Sequence, residues 1–175
     1  MGHTKIVVDH VKLDYKGPVM LSNLFRLVEN FLWEKGYDKR QDKDFEQNTP
    51  NGKFIEWQYS PWKKITDYVR YFMKIRILGY DFVKTDLAVG GKKKKVDSGR
   101  LLIIVDAFIE YDYDNYWDDR PFLFFLRTIY DYFVFKSYTE KFEHTLVNDA
   151  HHLVGEVEKF LNMHRKHFVI SRGKE

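Results

Sequence analysis

Four groups of residues have the types and spacing that chemistry needs. The first is His144, Asn148, His152 and Glu156, set four apart like a metal ladder. At about 100° per residue they spread over an arc of roughly 120°. Phe142, Leu146, Ala150, Leu153, Val157, Phe160 and Leu161 occupy the opposite arc. The ladder therefore belongs to a solvent face. Its two histidines, eight residues apart, stand about 12 Å apart along a helix, too far for one ion to bridge. Only His152 with Glu156 forms a pair, and a weak one. The His-Glu-x-x-His signature of zinc hydrolases is absent. No metal and no other cofactor is expected.

The second group is Glu110, Asp112, Asp114, Asp118 and Asp119, laced with Tyr111, Tyr113, Tyr116 and Trp117. Paired carboxylates perform acid–base chemistry or hold a cation. The spacing does not fit the EF-hand loop, which needs a Gly and a closing Glu at set offsets. Acids gathered before a helix are also favoured by the helix dipole alone. The third group is Lys92, Lys93, Lys94 and Lys95, between Gly90-Gly91 and Ser98-Gly99. The pattern reads as a basic hairpin loop. With Lys84 and Arg100 nearby it suits phosphate, nucleic acid or anionic lipid. The order of Gly and Lys-Ser/Thr is not that of a phosphate-binding P-loop.

The fourth group is an aromatic segment, 121–135. Around a helical wheel Arg120, Arg127 and Asp131 make the only polar stripe. Phe122, Phe124, Phe125, Tyr132 and Phe135 lie among the residues that surround the rest. A helix that is apolar nearly all round is buried on most sides or meets a partner. Arg127 and Asp131 oppose deep membrane insertion. The segment is expected to bind a protein partner or a second copy of the chain. Replacing Phe124 and Phe135 by Ser should then lower the oligomer mass and leave the far-ultraviolet spectrum unchanged. Unfolding of the double variant would instead assign both rings to the core.

Nothing else points to catalysis. There is no Gly-x-Ser-x-Gly, no assembled Ser-His-Asp pattern and no Gly-x-Gly-x-x-Gly after a strand. The chain has no cysteine, which excludes thiol nucleophiles, disulfides and Cys-ligated zinc. No catalytic residue is assigned.

The elements that must position these groups follow from periodicity. Lys5–Tyr15 alternates, with Val7, Val11, Leu13 and Tyr15 on one face and Asp9 as the exception. Leu21, Leu24, Phe25, Val28, Phe31 and Leu32 predict a helix over 19–35, stopped by Gly36. Asp38–Lys53 is polar and ends in Asn51-Gly52, a tight-turn pair. Phe54–Tyr59 reads as a short strand. Asp67–Leu78 alternates Val69, Tyr71, Met73, Ile75 and Ile77 against Arg70, Lys74 and Arg76. Gly79 is expected at a bulge or bend, after which the strand resumes to Val89. Leu101–Tyr113 forms the returning arm. Asp118, Asp119 and Pro121 start a helix, and a second runs from near Thr139 to about His164.

The expected order is β-α-β-β-β-β-α-α in one α+β domain over 1–165, with 166–175 as a frayed tail. An antiparallel sheet with one polar face is covered on the other by helices, a two-layer sandwich. This layout resembles helix-grip folds, in which a curved sheet wraps a long C-terminal helix around an apolar pocket. That likeness implies a carrier of an apolar small molecule.

Length, 175 residues, and a 44% apolar composition fit a single packed core. Aromatic residues reach 18%, and the net charge is +3. That total is too small to argue for nucleic acid, so the placement of the charges must decide. The N-terminal residues lack the apolar region of a signal peptide. Gly2 is not followed by Ser or Thr at position 6, as a myristoylation motif requires. No run reaches 18 apolar residues, so no transmembrane segment is expected and the location is read as cytoplasmic. The reading that leads is a non-catalytic binding or assembly module, using the aromatic segment and the charged loops. The apolar carrier and a carboxylate enzyme acting through 110–119 are the alternatives.

Overall fold

A computed structural model describes residues 3–89, 92–113 and 136–172. The chain enters as β1 (His3–Val19), crosses through α1 (Leu21–Glu34) and builds β2 (Gln41–Thr49), β3 (Gly52–Tyr59) and β4 (Trp62–Lys64). Two long strands, β5 (Val69–Val89) and β6 (Lys92–Tyr111), precede a final helix, α2 (Lys136–Arg172). The sheet is antiparallel, in the order β1-β6-β5-β3-β2, and β4 continues the line of β3 along β5. The α+β class with a long C-terminal helix is as the sequence predicts.

Alternation decides which face is buried. Val69, Tyr71, Met73, Ile75 and Ile77 of β5, with Leu101, Ile103, Val105, Ala107 and Ile109 of β6, are all buried. Against them α1 brings Leu24, Val28, Phe31 and Leu32, and α2 brings Leu146, Leu153, Val157 and Leu161. α1 ends where Gly36 takes φ 72°, and the Gly36 and Tyr37 amides donate to the carbonyls of Trp33 and Leu32. Glycine tolerates that left-handed turn without a Cβ clash. α2 is pinned by a buried polar contact. The Tyr37 hydroxyl donates to Asp149 at 3.0 Å, and the Lys35 ammonium lies 3.1 Å from the same carboxylate. Burial, then the Asp149 charge, holds the Tyr37 phenol well above its usual range. The Tyr71 hydroxyl donates to the Phe142 carbonyl at 2.9 Å, tying β5 to α2. Burial pushes that phenol up to about 12.

Five expectations change. Gln41–Thr49 is a strand, not a loop, although Gln41–Asn48 are exposed on both faces. Backbone pairing to β3 and the turn at Pro50-Asn51 create it, with Thr49 opposite Gly52. Lys92–Lys95 are not a loop either. They lie on β6, with Lys92 opposite Val89 and Lys95 opposite Asp86. Ser98-Gly99 also sits within β6. The bulge expected at Gly79 falls between Tyr80 and Val83, where Asp81 takes φ 54°. Finally α2 runs on to Arg172, through most of the segment expected to fray. The aromatic segment 121–135, with Phe122, Phe124, Phe125, Tyr132 and Phe135, lies outside the described residues, as do Asp114, Asp118 and Asp119.

Two bulges in β1 explain the odd place of Asp9. The register slips between Ile6 and Val8 and again between Val8 and Val11. Val7 and Val8 both reach the core, and Asp9 is carried out to solvent. His10 takes φ 49° at the second slip.

Candidate binding face of the sheet

With both described helices packed on one side of the sheet, the other side is the face that no described helix covers. Strand register turns it into rows. In one row Ile6, Phe108, Phe72 and Trp62 stand on adjacent strands β1, β6, β5 and β4. Neighbouring strands are about 4.8 Å apart, so the row is continuous apolar surface. Phe72 and Phe108 have ring centroids 5.9 Å apart at 46°. All three rings are half-buried, and Ile6 is 57% exposed.

Rows along the strand are about 6.7 Å apart. On one side of the aromatic row stand Arg70 and Glu110, opposite one another. Arg70 bonds Glu110 at 2.5 Å and lies over the Trp62 and Tyr113 rings at 5.7 and 4.9 Å. On the other side Lys74 faces Asp106, and the row beyond holds Lys12, Ile104 and Arg76. A second aromatic group, Phe45, Phe54 and Tyr80, lies further along the same face. Its centroids are 6.3 and 5.4 Å apart.

The charges on this face do not balance. Asp14 is gripped by Arg100, Glu56 by Lys43, Asp106 by Arg76 and Glu110 by Arg70. The bonds from Arg100 hold the Asp14 carboxyl below its ordinary range. Lys12, Lys16 and Lys74 have no carboxylate within ion-pair distance among the described residues. These four acids are each held by an arginine or lysine, exposed Asp9 contacts the His10 ring, and three lysines are left over among the described residues.

Asp106 is the buried member, at 4% exposure. It accepts from the His10 backbone amide at 2.8 Å and from Arg76 Nη2 at 3.1 Å. It thereby satisfies an amide that the bulge removes from the ladder. His10 Nδ1 lies 3.3 Å away and also contacts Asp9. The ligand atoms of Asp9, His10 and Asp106 all fall within 4.8 Å of one another. A cation there would compete with Arg76 for the Asp106 carboxylate. Titration with zinc is expected to show no site tighter than micromolar. A tight stoichiometric site lost in His10→Ala or His152→Ala would overturn this.

The sequence-derived candidates fall elsewhere. His144, Asn148 and His152 are exposed on α2, as the wheel requires, and His152 lies 3.7 Å from Glu156. Glu156 is held more closely by Lys159, at 2.8 Å, and that bond lowers its carboxyl from the ordinary range. Of these residues His152 and Glu156 border an open groove of about 680 Å³ between α1 and α2. Glu110 is engaged on the outer face, whereas Asp112 is buried at φ 53°, its amide donating to the Tyr68 carbonyl. Lys95 is exposed beyond the bulge. Between sheet and helices an apolar void bounded by Val28, Ile75, Ile103 and Leu153 measures about 10 Å³. That is the scale of one water, not of an apolar ligand, which needs several hundred Å³. Sequence reading missed the aromatic row and the Asp9–His10–Asp106 group. Asp9, the break in an alternating strand, was the available signal. No protein-family model, curated protein or solved structure matches this chain.

Proposed function

We propose that the chain is a non-catalytic binding module whose working surface is the outer face of the sheet, and that its partner is a polyanion. The observation that supports this is the combination of one apolar row with flanking lysines, Lys12, Lys16 and Lys74, that lie outside ion-pair distance of any carboxylate among the described residues. The catalytic alternative lacks a comparable arrangement, since the described carboxylates near 110 are tied to an arginine or buried. Among the described residues no helix is long and apolar enough to cross a membrane. Partner binding through Phe122, Phe124, Phe125, Tyr132 and Phe135, and anion binding through Lys92–Lys95, are separate surfaces of the same proposal.

Heparin, a sulfated polysaccharide, tests the polyanion reading without presuming a base. Calorimetric binding should weaken in Lys12→Ser/Lys74→Ser. Removing two charges from the helical layer, by Arg26→Ser/Lys159→Ser, should have less effect. Equal loss in both variants would mean that net charge alone attracts the polyanion, and the face would lose its claim.

A further inference from the structure

We infer that the polyanion is single-stranded nucleic acid, its bases stacking on Trp62, Phe72 and Phe108. This rests on the outer face being the working surface. A single-stranded nucleic acid alternates flat, apolar base surfaces with phosphates. The sheet face alternates in the same way. The ring row runs across β4, β5 and β6, and Lys74 and Lys12 stand on the next two rows, about 7 and 13 Å away along the strands. Base–aromatic stacking with phosphate neutralisation is how sequence-tolerant single-strand binders work.

Arg70 adds to the platform. It is already fixed by Glu110 and lies over the Trp62 ring, so its planar group is held beside the row without needing a phosphate of its own. Asp106 is a buried acid on the row next to the rings. Its bonds from the His10 amide and Arg76 reduce the repulsion it would offer a phosphate.

Other occupants fit less well. A protein interface has a core depleted of charge, whereas this row is bounded by charged rows on both sides. A duplex hides its base faces and is read by an element that enters a groove, and this face is the flat of a sheet. A bilayer takes up rings that protrude from a surface, and these three are half-buried.

The experiment is fluorescence anisotropy with labelled twelve-nucleotide homopolymers of uridine and deoxythymidine, a duplex of equal length, and anionic vesicles of phosphatidylserine in phosphatidylcholine. Trp62→Leu, Phe72→Leu and Phe108→Leu each keep an apolar side chain while removing the ring, so the fold is retained. Each should weaken single-strand binding by about fivefold or more, since a stacked base contributes about 1–3 kcal/mol. Heparin binding should be unchanged in the same variants. Trp33→Leu, an exposed ring on α1, should change neither. With Lys12, Lys16 and Lys74 engaged, the logarithm of affinity should fall against the logarithm of salt with a slope of about −2.

Heparin binding without ring-dependent oligonucleotide binding would overturn the single-strand assignment and leave the polyanion face standing. Duplex or vesicle binding tighter than single-strand binding would also overturn it. Loss of binding to every probe would overturn both.

Discussion

Leu153→Ala is expected to destabilise the protein by about 2–5 kcal/mol, the range for removing a buried leucine from a packed core. Leu153 is 1% exposed and lies where α2 meets the middle of the sheet. Its neighbours Val28, Ile75, Ile103 and Val105 come from α1, β5, β6 and β6. They are anchored in three separate runs of backbone and cannot all close on the space left behind. The void already there, about 10 Å³, would merge with the new one. The enlarged cavity is lined by aliphatic carbon and should stay dry, so the variant should gain binding of benzene or xenon that the parent lacks. Urea unfolding gives the first quantity and calorimetry the second. A loss below about 1 kcal/mol would mean that α2 is not packed on the sheet as described.

The second large effect lies at the bulged end of the long hairpin. The Phe82 ring is buried and folds across Gly79 of β5 and Gly99 of β6. A Cβ at Gly79 would stand 2.3 Å from the Phe82 ring, and one at Gly99 would stand 2.6 Å from the Tyr80 carbonyl oxygen. Real carbons do not approach so closely, so each alanine variant must displace something. The cost should be about 1–3 kcal/mol or more in each case. The two should differ in how they are relieved. Phe82→Leu retracts the ring edge and should recover much of the loss in Gly79→Ala. It should recover less in Gly99→Ala, because there the nearest obstacle is the Tyr80 backbone carbonyl and the Phe82 ring, at 2.8 Å, is only the second. Thermal unfolding of the three single and two double variants measures this. Equal rescue at both glycines would overturn the assignment of the clash.

Both predictions depend on features of different legibility. The buried face of β5 was readable because Val69–Ile77 sets Arg70, Lys74 and Arg76 against Val69, Tyr71, Met73, Ile75 and Ile77, and pleating leaves such a run only one way to face. Leu101–Ile109 of β6 is apolar at all but Asp106, so its strand was legible but its facing follows from pairing with β5. α1 was readable from its stripe and its terminal Gly36. β2 was not, since Gln41–Asn48 carry no apolar period. Its strand conformation comes from pairing, which a local pattern does not encode. Gly79 and Gly99 looked like a bend and a loop end because a glycine that clears a ring has the same local signature as one that turns the chain. The aromatic row was invisible for a related reason. Trp62, Phe72 and Phe108 are distant in sequence, and only the cross-strand register sets them side by side. The tethered position of Asp106 required the bulges in β1, which the misplaced Asp9 signalled but did not locate.

The register of β1 also dictates an order in time. β1 pairs with β6, joining His3 to Tyr111 and Val8 to Ala107. At about 5–20 residues per second, a ribosome finishes the partner strand roughly 5–20 s after releasing β1. β5 and β6 follow one another in sequence and pair from Val89 opposite Lys92, and hairpins form within about 1–10 μs once their arms are free. β1 must therefore wait through almost the whole of that interval with its ladder groups open. Its outward side chains, among them Asp9, His10, Lys12, Asp14 and Lys16, keep that waiting segment hydrated. Insertion then closes a loop of about a hundred residues, the slow kind of contact in a folding chain. During synthesis the first strand made is the last to join the sheet.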